Sequence, residues 1–262
     1  MSWRPAALLA LAACAHAPAT PGDVTPAMLR RVRAEGPNAS HMRRLAALAP
    51  RLALAEGADP RLVVAAALLH DATKEDGEGT PFERFCTHGQ QGAANARAVL
   101  PGLGYDARET QVVALAIEQH MGPCGVSASR GTTRFMTAFC GRDFPAPASP
   151  EAQVLFDLDM LDLMTVNGVA KVVELRQRGA EFGREPVRDS AERGPDSAWK
   201  SVLDAGETLR TPTGRACGAA LTAHTRAFLD QVDFGRVATV ESFQAAVAAW
   251  LAARPLPACF TP

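Results

Sequence analysis

From Thr25 onward, apolar residues recur at spacings of three and four, and the breaks between such runs carry Pro, Gly, Asp or Thr. The pattern predicts helices and no sheet: Ala and Leu dominate the apolar runs, and β-branched runs are few. Thr25-Pro26 reads as a helix start. A second helix is expected over Asn38–Glu56, capped by Asn38 or Ser40, kinked or divided by Pro50 and closed at Gly57. Asp59-Pro60 caps the next, which runs into His70-Asp71 and is followed by a charged, Gly-rich loop from Lys74 to Pro81. Further helices are expected over Thr87–Leu100 and Asp106–Met121, stopped by Pro101-Gly102 and Gly122-Pro123. A loop over Pro123–Gly131, a short apolar segment and a Pro-rich break (Pro145–Pro150) lead into one long helix from Glu151 towards Arg178. Residues 183–214 are polar and weakly patterned; late helices are expected over Ala216–Val232 and Val240–Ala253, the last capped by Thr239.

Composition adds bounds. The chain has 262 residues, 47% of them hydrophobic and 21% charged, with a net charge of −1. That suits a globular domain with appendages, and it gives no broad basic surface for nucleic acid. The first residues read differently. Met1-Ser2-Trp3-Arg4 is a short positive start, and Pro5–Ala13 is apolar but too short to span a bilayer. It ends in Leu11-Ala12-Ala13-Cys14, which resembles the bacterial lipoprotein signal. The resemblance implies lipidation of Cys14, a signal peptide over 1–14, a tether over 15–24 containing His16, and a mature protein lipid-anchored at the periplasmic or outer face of a membrane. An ordinary secretory signal is the alternative. An oxidising compartment allows disulfides. Of the remaining Cys86, Cys124, Cys140, Cys217 and Cys259, at most two pairs can form; Cys124–Cys140 and Cys217–Cys259 are expected.

The chemistry gathers around Ala65–Leu69, an apolar run ending in His70-Asp71, with Lys74 three residues on. A buried imidazole and carboxylate need compensation, and a divalent metal supplies it. His41 heads the stripe Leu45, Leu48, Leu52, and His120 ends the stripe Val112, Val113, Ala116, Ile117, so both face inward. His88 opens a helix whose near face is Gly92, Asn95 and Ala96, small enough for another backbone to approach. Asp157, Asp159 and Asp162 interrupt an apolar helix, Asp159 on the face of Leu155, Phe156, Leu163 and Val166. Singly, an inward His is more often a hydrogen-bonded core residue than a ligand; His224, in a late helix, is read as an ordinary surface or core histidine.

Taken in order, these residues resemble the HD superfamily of helical metal-dependent enzymes: a first His (His41), the pair His70-Asp71 within His-Asp-x-x-Lys, His88-Gly89, Ile117-x-x-His120, and the closing Asp159-x-x-Asp162. The resemblance covers about residues 28–180. It implies an all-α fold, an HD-domain helical bundle over 25–180 with a helical C-terminal extension over 181–262. It also implies His41, His70, Asp71 and Asp159 around one metal. His88 and His120 would hold a second metal bridged by Asp71, or contact substrate phosphate. Asp162 would orient a ligand or cap a polar pocket, and Asp157 is the fallback for Asp159.

The activity implied is hydrolysis of a phosphate ester or anhydride on a small phosphorylated substrate, using one or two divalent metals (Mn, Fe, Mg, Zn, Co or Ni). Asp71 and Lys74 would act in catalysis, Lys74 as a point cation for phosphate. Lys171, Glu118 and Glu75 are weaker candidates. Two alternatives use the same core: a diiron oxygenase, and a non-catalytic lipoprotein that binds a ligand or partner. The chain has no GxxxxGK[ST], GxSxG or HExxH motif.

Overall fold

The structure is a computed structural model that describes residues 39–74, 79–121, 140–141, 144–179, 186–193 and 197–261. The segment that resembles a lipoprotein signal, the expected tether and the expected helix start at Thr25 lie outside the described residues. Among the described residues there are nine α-helices and no strand, the all-α fold expected.

Helix α1 (Ala39–Ala55) runs through Pro50 unbroken. Pro50 removes one backbone donor, but Leu48, Ala49, Leu52 and Ala53 are buried on either side of it, and that packing holds the helix together. The chain turns at Gly57, whose φ of 70° favours glycine. Asp59 then caps α2 (Pro60–Leu69), accepting from the amides of Arg61 and Leu62. Helix α3 (Pro81–Val99) starts six residues before Thr87, the expected start. The missed signal is a capping box: Thr80 accepts from the Glu83 amide, and the Glu83 carboxylate accepts from the Thr80 amide. His88 therefore sits inside this helix and does not open it. Helix α4 (Ala107–Gln119) has the same kind of box, from Asp106 and Glu109.

The long helix expected from Glu151 is two helices, α5 (Pro150–Leu163) and α6 (Val166–Gly179). Thr165 makes the break: its hydroxyl donates to Asp162 O (2.7 Å) and accepts from the Gly168 amide (3.1 Å). Glycine is required at 168, because a Cβ there would lie 2.2 Å from Leu163 O. The weakly patterned region contains a helix that the sequence reading missed, α7 (Ala198–Thr208). Helix α8 (Pro212–Gln231) starts four residues before Ala216, and α9 (Val240–Ala253) is capped by Thr239 as expected.

Helix α1 packs on α2 and α5, α3 on α4, and α5 also touches α2, α4, α7 and α8. Buried residues lie all round α5, which makes it the central element. One apolar cluster runs from Met42 through the late helices to Phe260. None of the described helices is long and apolar enough to cross a membrane.

Two disulfides form, and one of them corrects the expectation. Cys217–Cys259 pairs as expected, but Cys140 pairs with Cys86 on α3; Cys124 lies outside the described residues. The expectation joined Cys140 to its nearer neighbour in sequence, whereas the fold carries it back to α3, 54 residues away.

Candidate metal centre

The four inward histidines come from the ends or middles of four helices. His41 lies on the first turn of α1, His70 caps the C-terminus of α2, His88 is in mid-α3 and His120 caps the C-terminus of α4. The close approach that brings them together depends on Gly92. A Cβ at this position would lie 2.8 Å from His70 O and 2.9 Å from Ile117 Cγ2, so only glycine lets α3 settle against both helices.

Three of the rings are fixed by the same local device. Nδ1 donates to the carbonyl three residues back: His70 to Ala67 (2.9 Å), His88 to Phe85 (2.7 Å) and His120 to Ile117 (2.5 Å). A carbonyl only accepts, so Nδ1 carries the proton and Nε2 of the neutral ring presents a lone pair. His41 is oriented differently. Its Nδ1 donates to Asp162 Oδ2 (2.7 Å), and Arg44 binds that carboxylate through Nε (3.0 Å) and a terminal nitrogen (2.9 Å).

The Nε2 atoms converge with two carboxylates. His41 Nε2 lies 3.2 Å from His70 Nε2 and 3.1 Å from Asp159 Oδ1. His88 Nε2 lies 3.1 Å from His120 Nε2 and 3.3 Å from Asp71 Oδ1. Asp71 also reaches towards His70 and His120, at 3.9 Å each, and its Oδ2 accepts from Lys74 Nζ at 2.9 Å. Three sets each bring their ligand atoms within 4.8 Å of one another: His41, His70 and Asp71; His70, His120 and Asp159; Asp71, His88 and His120. The four histidines and Asp71 are buried, and Asp159 keeps 24% of its side-chain surface exposed.

Electrostatics sort the rings into two kinds. Burial opposes charge on His88, the nearby His120 adds to that, and the pKa falls to about 4. Burial with His70 beside it lowers His120 to about 4 as well. His70 is lowered, chiefly by burial. Burial opposes the charge on His41 too, but hydrogen bonds to Asp159 and Asp162 outweigh it and raise the pKa to about 9. Burial would raise Asp71 and Asp159, but the surrounding His rings, with Lys74 at Asp71, hold both well below the usual carboxylate range.

The donor set fits a divalent cation. Asp71 Oδ1 is buried without a hydrogen-bond partner, and its near neighbour His88 Nε2 has no proton to offer. Lone pairs 3.1 Å apart on His88 and His120 repel unless a cation lies between them. Nitrogen and carboxylate oxygen are the ligands first-row divalent metals take. The structure brings His41, His70, Asp71, His88, His120 and Asp159 together, with Lys74 on Asp71 and Asp162 behind His41.

Asp157 is elsewhere, which corrects its place as fallback ligand. It accepts from the Arg210 and Thr211 amides (2.7 and 2.8 Å) and from the Thr211 hydroxyl (2.6 Å), joining α5 to the start of α8. Two residues along a helix turn a side chain through about 200°, so Asp157 and Asp159 cannot share a site. Arg44 was missed by the sequence reading; its only signal is the spacing of three from His41, which puts it one turn along the same face. His224 sits between α8 and α9, near Trp250 Nε1 and Arg254 O, far from this cluster in its contacts.

Residues 38–164, just under half of the chain, match the family model described as HD domain. A crystal structure of a Lactobacillus plantarum protein is similar at 21% identity and a TM-score of 0.52, covering 80% of this chain and 93% of the other. That likeness shows the fold. Comparison with curated proteins finds no match. The segment 38–164 fits the HD superfamily in two respects, the match to the HD-domain model and the His and Asp groups that its helices gather.

Proposed function

We propose that the protein is a metal-dependent phosphohydrolase that cleaves a phosphate ester or anhydride of a small substrate. The observation that carries this reading is the buried, unpartnered Asp71 Oδ1 facing imidazole lone pairs. The match to the HD-domain model supports it, since that family is generally one of metal-dependent phosphohydrolases. His41, His70, Asp71 and Asp159 would hold one metal, and His88 and His120 with Asp71 a second. When bound, such a metal supplies water of near-neutral pKa and an electrophilic contact for a phosphoryl oxygen. Asp71 belongs to two of the three ligand sets, which suits it to bridging. Lys74, held on Asp71 Oδ2 with 29% of its side chain exposed, places a positive charge where a phosphate could approach.

The reading includes anchorage outside the cytoplasm through lipidated Cys14. Two disulfides support it, because disulfides persist in oxidising compartments. Metal analysis and a panel of phosphomonoesters, phosphodiesters and pyrophosphates test the activity, with wild type compared to Asp71→Ala. Equal turnover by both would sink the hydrolase reading. Loss of turnover when oxygen is removed would point to the oxygenase instead. Labelling with a radioactive fatty acid tests the anchor: incorporation should vanish in Cys14→Ser.

A further inference from the structure

His41 is the only one of the four clustered histidines whose ring is not fixed by its own helix backbone. Its orientation depends on Asp162, and Asp162 is held by the two-pronged contact from Arg44. Arg44 is in turn bordered by the C-terminal segment. A cavity of about 230 Å³ lies between Arg44 and Leu48 of α1 and Leu251, Leu256, Phe260 and Thr261 of the chain's end. Residues 41, 44, 48 and 51 form one stripe of α1, and Arg51 at its far end donates to the carbonyls of Ala258 and Cys259. Cys259 is tied to α8 by the disulfide to Cys217. The segment that clasps this stripe lies outside residues 38–164, the part that matches the HD-domain model.

We infer that Arg44 is a positioning residue for the metal centre and that the C-terminal segment supports metal binding through it. The inference rests on the proposed metal site. A guanidinium fork fixes a carboxylate plane as a point charge does not, so Arg44 sets where Asp162 holds His41 Nδ1, and hence where Nε2 points. Leu251, Leu256 and Phe260 line the same cavity as Arg44, whose side chain is 38% exposed, and so bound the space it would enter on leaving Asp162. The result is a path from the stapled C-terminus to one metal ligand.

The test is titration of the full chain with Co²⁺, followed by its visible absorption, in wild type, Arg44→Gln, Arg44→Lys, Phe260→Ala and the Arg44→Gln/Phe260→Ala double variant. Arg44→Gln should weaken Co²⁺ binding about 10- to 100-fold, the usual effect of losing a group behind a ligand, and shift the absorption bands. Arg44→Lys, which keeps the charge without the fork, should recover part of the loss. Phe260→Ala should cost several-fold alone and nothing further in the Arg44→Gln background. Thermal unfolding of each variant accompanies the titration; if Arg44→Gln does not fold, the Arg44→Lys spectrum carries the comparison. Unchanged affinity and bands in the Arg44 variants would overturn the inference, and an equal Phe260→Ala effect in both backgrounds would overturn the route through Arg44. A wild type that takes up no Co²⁺ would instead remove the metal site on which all of this rests.

Discussion

Asp71 Oδ1 lies 3.3 Å from His88 Nε2, and neither atom has a proton to place between them. The carboxylate is held ionised, and the ring is neutral because its pKa falls to about 4. Two acceptors face each other in a buried space. This relationship makes Asp71 the most informative residue to change.

Asp71→Asn should lower turnover by on the order of 10²–10³, the scale for losing one pre-placed electrostatic group. It should also reduce metal content while leaving the fold intact, since a buried charge has been replaced by a neutral isostere. Activity assays and metal analysis on one preparation check both parts.

The pH dependence follows from the opposed shifts, and chelator-treated protein should show it. His41, raised from 6.5 to about 9, contributes stability that is full below pH 6.5 and lost as the pH rises through 9. His88 and His120, lowered to about 4, contribute stability that is full above pH 6.5 and lost as the pH falls through 4. The melting temperature should therefore peak near pH 6.5 and fall on both sides, as calorimetry from pH 4 to 10 would read.

Metal binding should release a proton below pH 9, because a metal on His41 Nε2 takes the place of a proton held there up to about that pH. Calorimetric titration in buffers of different ionisation enthalpy measures that release. No buffer dependence at pH 7 would contradict it.

Asp157→Ala separates the two neighbouring carboxylates. It leaves two amides and a hydroxyl without their acceptor in a buried position, which should cost several kcal/mol in urea unfolding, at about 1–3 kcal/mol for each unsatisfied group. Metal affinity should be unchanged at temperatures where the variant is folded. Asp159→Ala should instead weaken metal binding, because it removes a carboxylate that faces His41 Nε2.

Gly92→Ala tests the approach of the helices. The added methyl meets the His70 carbonyl and Ile117, so α3 must move away. A loss of about 1–3 kcal/mol in stability is expected, the range for overpacking a core, together with weaker metal binding. A small effect on stability with normal binding would mean that α3 can shift without moving His88.

The sequence by itself determined the helical class, most of the caps and the residues that gather. Asp59, Asp106 and Thr239 cap the helices they precede because a side-chain oxygen next to free amides is a local matter. His41 and His120 face inward because the stripes they belong to do. The Thr80 box is equally local, but it lies within a charged, Gly-rich stretch that reads as loop. Tertiary structure decided the rest. Whether Pro50 breaks α1 depends on the packing around it, and whether one helix or two follow Pro150 depends on the Thr165 hydroxyl and the space at Gly168. The partner of Cys140 and the separate roles of Asp157 and Asp159 depend on contacts 53 or more residues away in sequence. Helical periodicity says which way a side chain faces. Only the packed helices say what it meets there.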